Sequence, residues 1–186
     1  IMREYPKVFL APGREKSIKN KHYWIFSGAV ETSPEFENGD ILAIHSATEE
    51  FLGYAYCNNE TSIFGRMITF NDTYPEKQLK INLQKATDMR LKLFNHEYTN
   101  AYRLVHGEWD GIPGLTIDRY ADCFVIQVST AGVEKMKQFV IDFLVETFSP
   151  RCVYEKSNMP NRREEWLGSF ECVLYGKVPE YVDILE

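Results

Sequence analysis

Glu108 and Asp110 stand two residues apart inside a knot of Gly107, Gly111, Pro113 and Gly114. Paired carboxylates serve as general acid and base when their surroundings split their pKa values. The same pair has structural uses: accepting from turn N–H groups, meeting Arg103, or touching another domain. Two apolar runs flank the knot, so a decorated β-hairpin is the plainest expectation, its glycines supplying positive φ or close backbone approach. As a phosphate cradle the segment 107–111 fails, because no helix follows it.

The other chemistry-bearing residues are dispersed. Cys57, Cys123, Cys152 and Cys172 form no C-x₂-C pair and read as reduced, buried apolar residues. The four histidines are equally scattered, so no metal site is expected. A net charge of −6 argues against a chain that simply coats nucleic acid. Distribution overrides the total, because Arg3, Lys7, Arg14, Lys16, Lys19 and Lys21 face only Glu4 and Glu15 at one end. Arg14, Lys16, Lys19 and Lys21, with Arg66 from further on, are the candidate phosphate contacts. On charge alone a solvated helix face is an equal reading. Trp24 is either core or a base-stacking surface, with core the default.

These residues need elements to position them. Lys7 to Ala11 reads as a strand, and Pro12-Gly13 opens a basic helical turn over 14–21. Strands follow at 24–26, 29–32, 41–46, 51–58 and 62–70, the pattern of a small antiparallel barrel. About 70 residues make a marginal core, so this barrel should lean on a neighbour. Asn71 to Pro75 marks a boundary, giving units 1–72 and 73–186. Apolar steps at Leu79, Leu83, Ala86 and Leu93 then predict an amphipathic helix over 76–95. Strands at 101–106, 115–118 and 124–128, a helix at 132–148 and a strand at 152–155 complete an α/β unit with a right-handed parallel crossover. Further strands are expected at 170–175 and 181–185. The fold class is therefore α+β. No apolar run approaches the roughly 18 residues of a membrane span, and no secretory pattern opens the chain. The cytoplasm is the expected compartment, and the triplets Asn59-Glu60-Thr61 and Asn71-Asp72-Thr73 are accidental. Ile1 ahead of Met2 reads as a cloning remnant.

The run from Tyr102 to Tyr120, Tyr-Arg-Leu-Val-x-Gly-Glu-x-Asp-Gly-Ile-Pro-Gly-Leu-x-Ile-Asp-Arg-Tyr, resembles the signature of the bacterial 23S rRNA cytosine-C5 methyltransferases. Phe9 to Ser17 and His22 to Val30 resemble the opening of that family, which usually has Pro where Tyr23 stands. Two further departures are Ala121 and Trp166, each where the family has Gly, while Val182-Asp183-Ile184-Leu185-Glu186 resembles the Val-x-Ile-x-Glu past which the family continues. If the loop at Ala121 needs a left-handed residue, Ala is strained there by about 1 kcal/mol, or Asp122 takes the conformation instead.

The resemblance implies an N-terminal PUA domain, a β-rich RNA-binding pseudo-barrel, and a central α/β domain. It also implies S-adenosylmethionine (SAM) as the parent enzyme's cofactor and rRNA as its partner. The Rossmann domain that would bind SAM and carry the nucleophilic cysteine is missing from this sequence. No catalytic, cofactor-binding or metal residue is carried over. Arg103, Glu108, Asp110 and Asp118 are expected to act as a structural turn. The piece alone is expected to be inactive and to bind no SAM, and a homodimer is left open. The alternatives are a free-standing RNA-binding adaptor and a purely structural interaction module.

Overall fold

The computed structural model describes residues 4–185, so Ile1, Met2, Arg3 and Glu186 lie outside the described residues. The first unit is a six-stranded sheet made of β1 Lys7–Leu10, β2 Trp24–Phe26, β3 Val30–Thr32, β4 Ile41–His45, β5 Phe51–Cys57 and β6 Ile63–Thr69. Their order is β2-β6-β5-β4-β1-β3. The sheet is mixed, because β1 runs parallel to β4 while the other pairs are antiparallel, and this corrects the all-antiparallel expectation. Its two edge strands, β2 and β3, are consecutive in sequence and joined only by the 3-10 turn Ser27–Ala29. So short a link brings opposite edges together only if the sheet curls into a half-barrel. Inside the curl, Val8, Leu10, Ile25, Leu42, Ile44 and Met67 pack with Ile18, the single buried anchor of the short helix α1 Glu15–Lys19.

The second unit begins with α2 Pro75–Leu93, whose Pro75 at the first helical turn costs no hydrogen bond. It continues with β7 Ala101–His106, β8 Leu115–Tyr120, β9 Cys123–Val128, α3 Ala131–Phe148, β10 Cys152–Ser157 and β11 Phe170–Gly176. The sheet order is β11-β10-β9-β8-β7, with β9 and β10 parallel across the α3 crossover. Thr130 caps α3 by accepting from the Val133 amide.

The expected strand at 181–185 is absent. After Pro179 this segment passes Ala121, Asp122 and Arg151, and the Leu185 amide donates to Asn100 Oδ1 at 2.7 Å. Its backbone contact just before the edge strand β7, from the Asn100 amide to the Leu185 carbonyl at 3.2 Å, is not continued into a ladder. Ala121 takes the left-handed conformation itself, at φ 55°, while Asp122 accepts from Arg151 at 3.0 Å.

The two units share a core. Tyr56 and Ile68 of the first sheet pack among Leu79, Leu83, Leu104, Ile117, Phe124 and Val140 of the second unit. The Tyr56 hydroxyl donates to the Pro113 carbonyl, and full burial pushes its pKa well above the ordinary range. Gly132 is required here, since a Cβ would lie 2.2 Å from the Tyr56 ring.

Candidate functional site

The acidic turn is pinned from both units. Asp110 accepts from Arg90 of α2 through two nitrogens, at 2.6 and 2.9 Å, and from the His106 amide at 2.7 Å. Asn82 of α2 adds a bond to the Gly111 carbonyl at 2.9 Å, where Gly111 holds φ 73°. Arg103 does not meet the turn's carboxylates through its side chain; it pairs with Asp118 at 2.8 and 3.2 Å. Glu108 reaches the first unit and accepts from Trp24 Nε1 at 2.8 Å. With each carboxylate committed to a separate donor, the pair does not form the shared site that acid–base work needs.

A second contact between the units is buried, and sequence reasoning did not find its role. The 3-10 turn Pro160–Glu165 delivers Glu165 against the first sheet. There its carboxylate accepts from Arg66 at 2.5 Å, from Asn58 at 3.0 Å and from the Ala131 amide at the start of α3 at 3.2 Å. Arg162, also buried, donates to the Gly168 carbonyl at 2.8 Å and to the Val128 carbonyl, and reaches Glu134 at 3.3 Å. The turn closes on Trp166 at φ 59°, a costly conformation for a bulky residue. The only sequence signal was Trp166, standing where the resembled family has Gly. It could not name a partner 99 residues away.

The five candidate phosphate contacts occupy different situations. Arg14 and Lys16 are exposed and make no ion pair among the described residues. Lys19 pairs with Glu50 at 2.6 Å, and that hydrogen bond holds its pKa above the ordinary value. Lys21, at φ 64°, sits 5.1 Å from the centre of the Phe70 ring. Arg66 is largely buried and engaged by Glu165, which makes it part of the joint between the units.

Beside the basic turn lies a cleft of about 430 Å³ with Arg14 and Ser17 on one side and Trp24 and Phe26 on the other. Trp24 is therefore a surface residue, 37% exposed on an edge strand, and not core. Its ring meets His22 and Phe26 edge-on, each at 6.2 Å. Cations next to exposed aromatic faces are the equipment for unpaired nucleotides, where bases stack and phosphates are neutralised.

Residues 8–70 match the family model described as a PUA-like domain. The chain carries a PUA-like domain. That domain and the unit after it align together with longer proteins. The chain is 36% identical over 183 residues to Ribosomal RNA large subunit methyltransferase I of Vibrio parahaemolyticus, and 32% identical over 182 residues to the same-named protein of Aliivibrio fischeri. Each alignment takes in 96% of this chain and 46% of the relative, so the chain spans less than half the length of the curated relatives it matches. The chain is homologous to them across the PUA-like domain and the second unit alike. The fold is shared with a candidate SAM-dependent methyltransferase from Streptococcus mutans, at a TM-score of 0.78 and 23% identity over 97% of this chain and 46% of that one. A candidate methyltransferase solved with SAH superposes at 0.79 with the same coverage. Among the described residues, no helix beside the PUA-like domain or in the second unit is long and apolar enough to cross a membrane, and no cluster of His, Cys, Asp and Glu suits a metal ion.

Proposed function

We propose that this chain recognises RNA and presents it to the SAM-dependent methyl-transfer machinery of an rRNA methyltransferase, with C5 of a cytosine as the acceptor and the cytoplasm as the compartment. The observation that carries the reading is the alignment of 96% of the chain, at 36% identity, with a relative named for large-subunit rRNA methylation. SAM, when bound to the parent enzyme, supplies the methyl group. The described residues of this chain do not fit that cofactor. The one strand–helix–strand crossover, β9-α3-β10, has no Gly-rich turn, and its helix start is occupied by Glu165 and the Thr130 cap. The chain's own contribution is binding and orientation. Arg14 and Lys16 meet phosphates first, Lys21 adds a third charge, and Lys19 joins only by giving up Glu50. Arg66 holds the two units in a fixed relation.

The test is a titration of a structured rRNA fragment at two salt concentrations against wild type and an Arg14→Glu/Lys16→Glu variant. Binding should be weak, because the net charge opposes it, and should fall with salt at a slope of roughly −0.7 per phosphate contact for single strands. The variant should lose most of the affinity and about two contacts of slope while unfolding at the same temperature, since both side chains are exposed. Equal affinity for the two proteins, or binding indifferent to salt, would remove the basic turn from the interface.

A further inference from the structure

Tryptophans are usually well buried, yet all three in this chain are at the surface: Trp24 is 37%, Trp166 72% and Trp109 87% exposed. Two of them line one cleft of about 560 Å³ between the units. Trp24 comes from the edge strand of the PUA-like domain and Trp166 from the turn after Glu165. Between them lie Arg163 and Asn161, whose side chains make no hydrogen bond or ion pair among the described residues, and the carboxylates of Glu60 and Glu164.

Trp166 is largely uncovered, while Trp24 is 37% exposed, with His22 and Phe26 edge-on to its ring. Glu108 takes the Trp24 indole N–H and so orients that ring. Trp166 follows directly on Glu165, which is buried and bonded to Arg66, Asn58 and Ala131, so its backbone adjoins a buried contact between the units. The left-handed backbone at Trp166 is a local cost, and such outliers concentrate where function keeps them. The cleft is also unlike the basic turn in charge. Arg66 is neutralised by Glu165, and the carboxylates of Glu60 and Glu164 line the same cleft as Arg163, so a phosphate gains less there than at the basic turn. A flat, uncharged group with hydrogen-bonding edges fits better.

We infer that the cleft between the units is a nucleobase site, in which one unstacked base of a single-stranded RNA segment packs against Trp24 and Trp166. Its exocyclic amino group donates to the carboxylates of Glu60 or Glu164. Trp24 also lines the cleft beside Arg14, so a strand whose phosphates lie on the basic turn can pass one base across the ring into this site. The inference rests on the reading that the chain binds RNA. It adds a preference for bases with an amino group, since uracil has none to offer the carboxylates.

The experiment uses Trp109→Phe as the parent chain, so that the remaining emission comes from Trp24 and Trp166. Hexacytidylate and hexauridylate are titrated by tryptophan quenching into the parent chain, into Trp166→Gly and into Arg14→Glu/Lys16→Glu. Glycine accepts φ 59° without strain, so Trp166→Gly removes the ring and keeps the fold. Hexacytidylate should quench saturably and bind several-fold tighter than hexauridylate. Trp166→Gly should weaken it at least about fivefold, the lower end of one lost stacking partner, with the salt slope unchanged. The basic-turn variant should lower both affinity and slope. Salt-dependent binding without quenching, or unaffected by Trp166→Gly, overturns the cleft and leaves the basic turn standing. Equal affinity for the two hexamers overturns the preference for an exocyclic amino group. Loss in Trp166→Gly but not in the basic-turn variant supports the cleft and fails the proposed phosphate contacts. No binding of either hexamer or of the rRNA fragment overturns both readings.

Discussion

The turn at 107–114 and the turn Pro160–Glu165 do the same job by different means. Each leaves the second unit and sets a glutamate against the first, Glu108 on Trp24 and Glu165 on Arg66. The first turn places its positive φ values on Gly107, Gly111 and Gly114, where they cost little. The second places one on Trp166, and it survives because Arg162 and Glu165 are buried and bonded on every side. Glycine spares a turn the backbone cost of positive φ; without glycine, tertiary contacts must offset that cost as well. The first contact is therefore peripheral and replaceable, and the second is central to the joint.

Substitution should separate them most clearly. Glu165→Ala leaves Arg66 buried without a counter-charge and strips Asn58 and the Ala131 amide of an acceptor. A loss of about 3–5 kcal/mol is expected from urea unfolding. Glu108→Ala removes one hydrogen bond at the surface and should cost about 1 kcal/mol or less. Equal losses would mean that the glycine turn is as central as the Glu165 contact.

A smaller effect is expected from pH. Cys123 and Cys152 are buried neighbours on parallel strands, and burial, with the adjoining Cys152 and Asp122 next, pushes the Cys123 thiol up to about 12. The folded chain keeps that proton while an unfolded thiol loses it near 9, so the unfolded state binds fewer protons between those values. Stability from this site is complete below about pH 9 and should fall as pH rises from there toward 12. A Cys123→Ala variant should show a shallower decline in thermal unfolding over that range. An unchanged slope would place the alkaline sensitivity elsewhere.

The smallest expected effect sharpens the contrast between glycine and non-glycine turns. Ala121→Gly relieves a left-handed alanine at φ 55°, offset in part by the freer unfolded chain, and should raise stability by about 0.5–1 kcal/mol. A destabilised variant would show that the Ala121 methyl contributes more to packing than its backbone conformation costs.

The sequence was sufficient for what depends on local pattern. Apolar periodicity located both long helices, and alternation with turn residues located the strands to within a few residues, because burial of one face is written into every second or every third and fourth position. The charge cluster marked the basic turn, and the Gly-Pro knot marked the acidic turn. Tertiary structure decided what depends on partners distant in sequence. It ran β1 parallel to β4, left the segment 181–185 outside either sheet, and put Trp24 on the surface of an edge strand. It also took Lys19 and Arg66 out of the free cation set by pairing them with Glu50 and Glu165. Spacing reports the face a residue presents to its own element. Which distant charge or ring comes to meet that face is fixed only when the two units close on a common core.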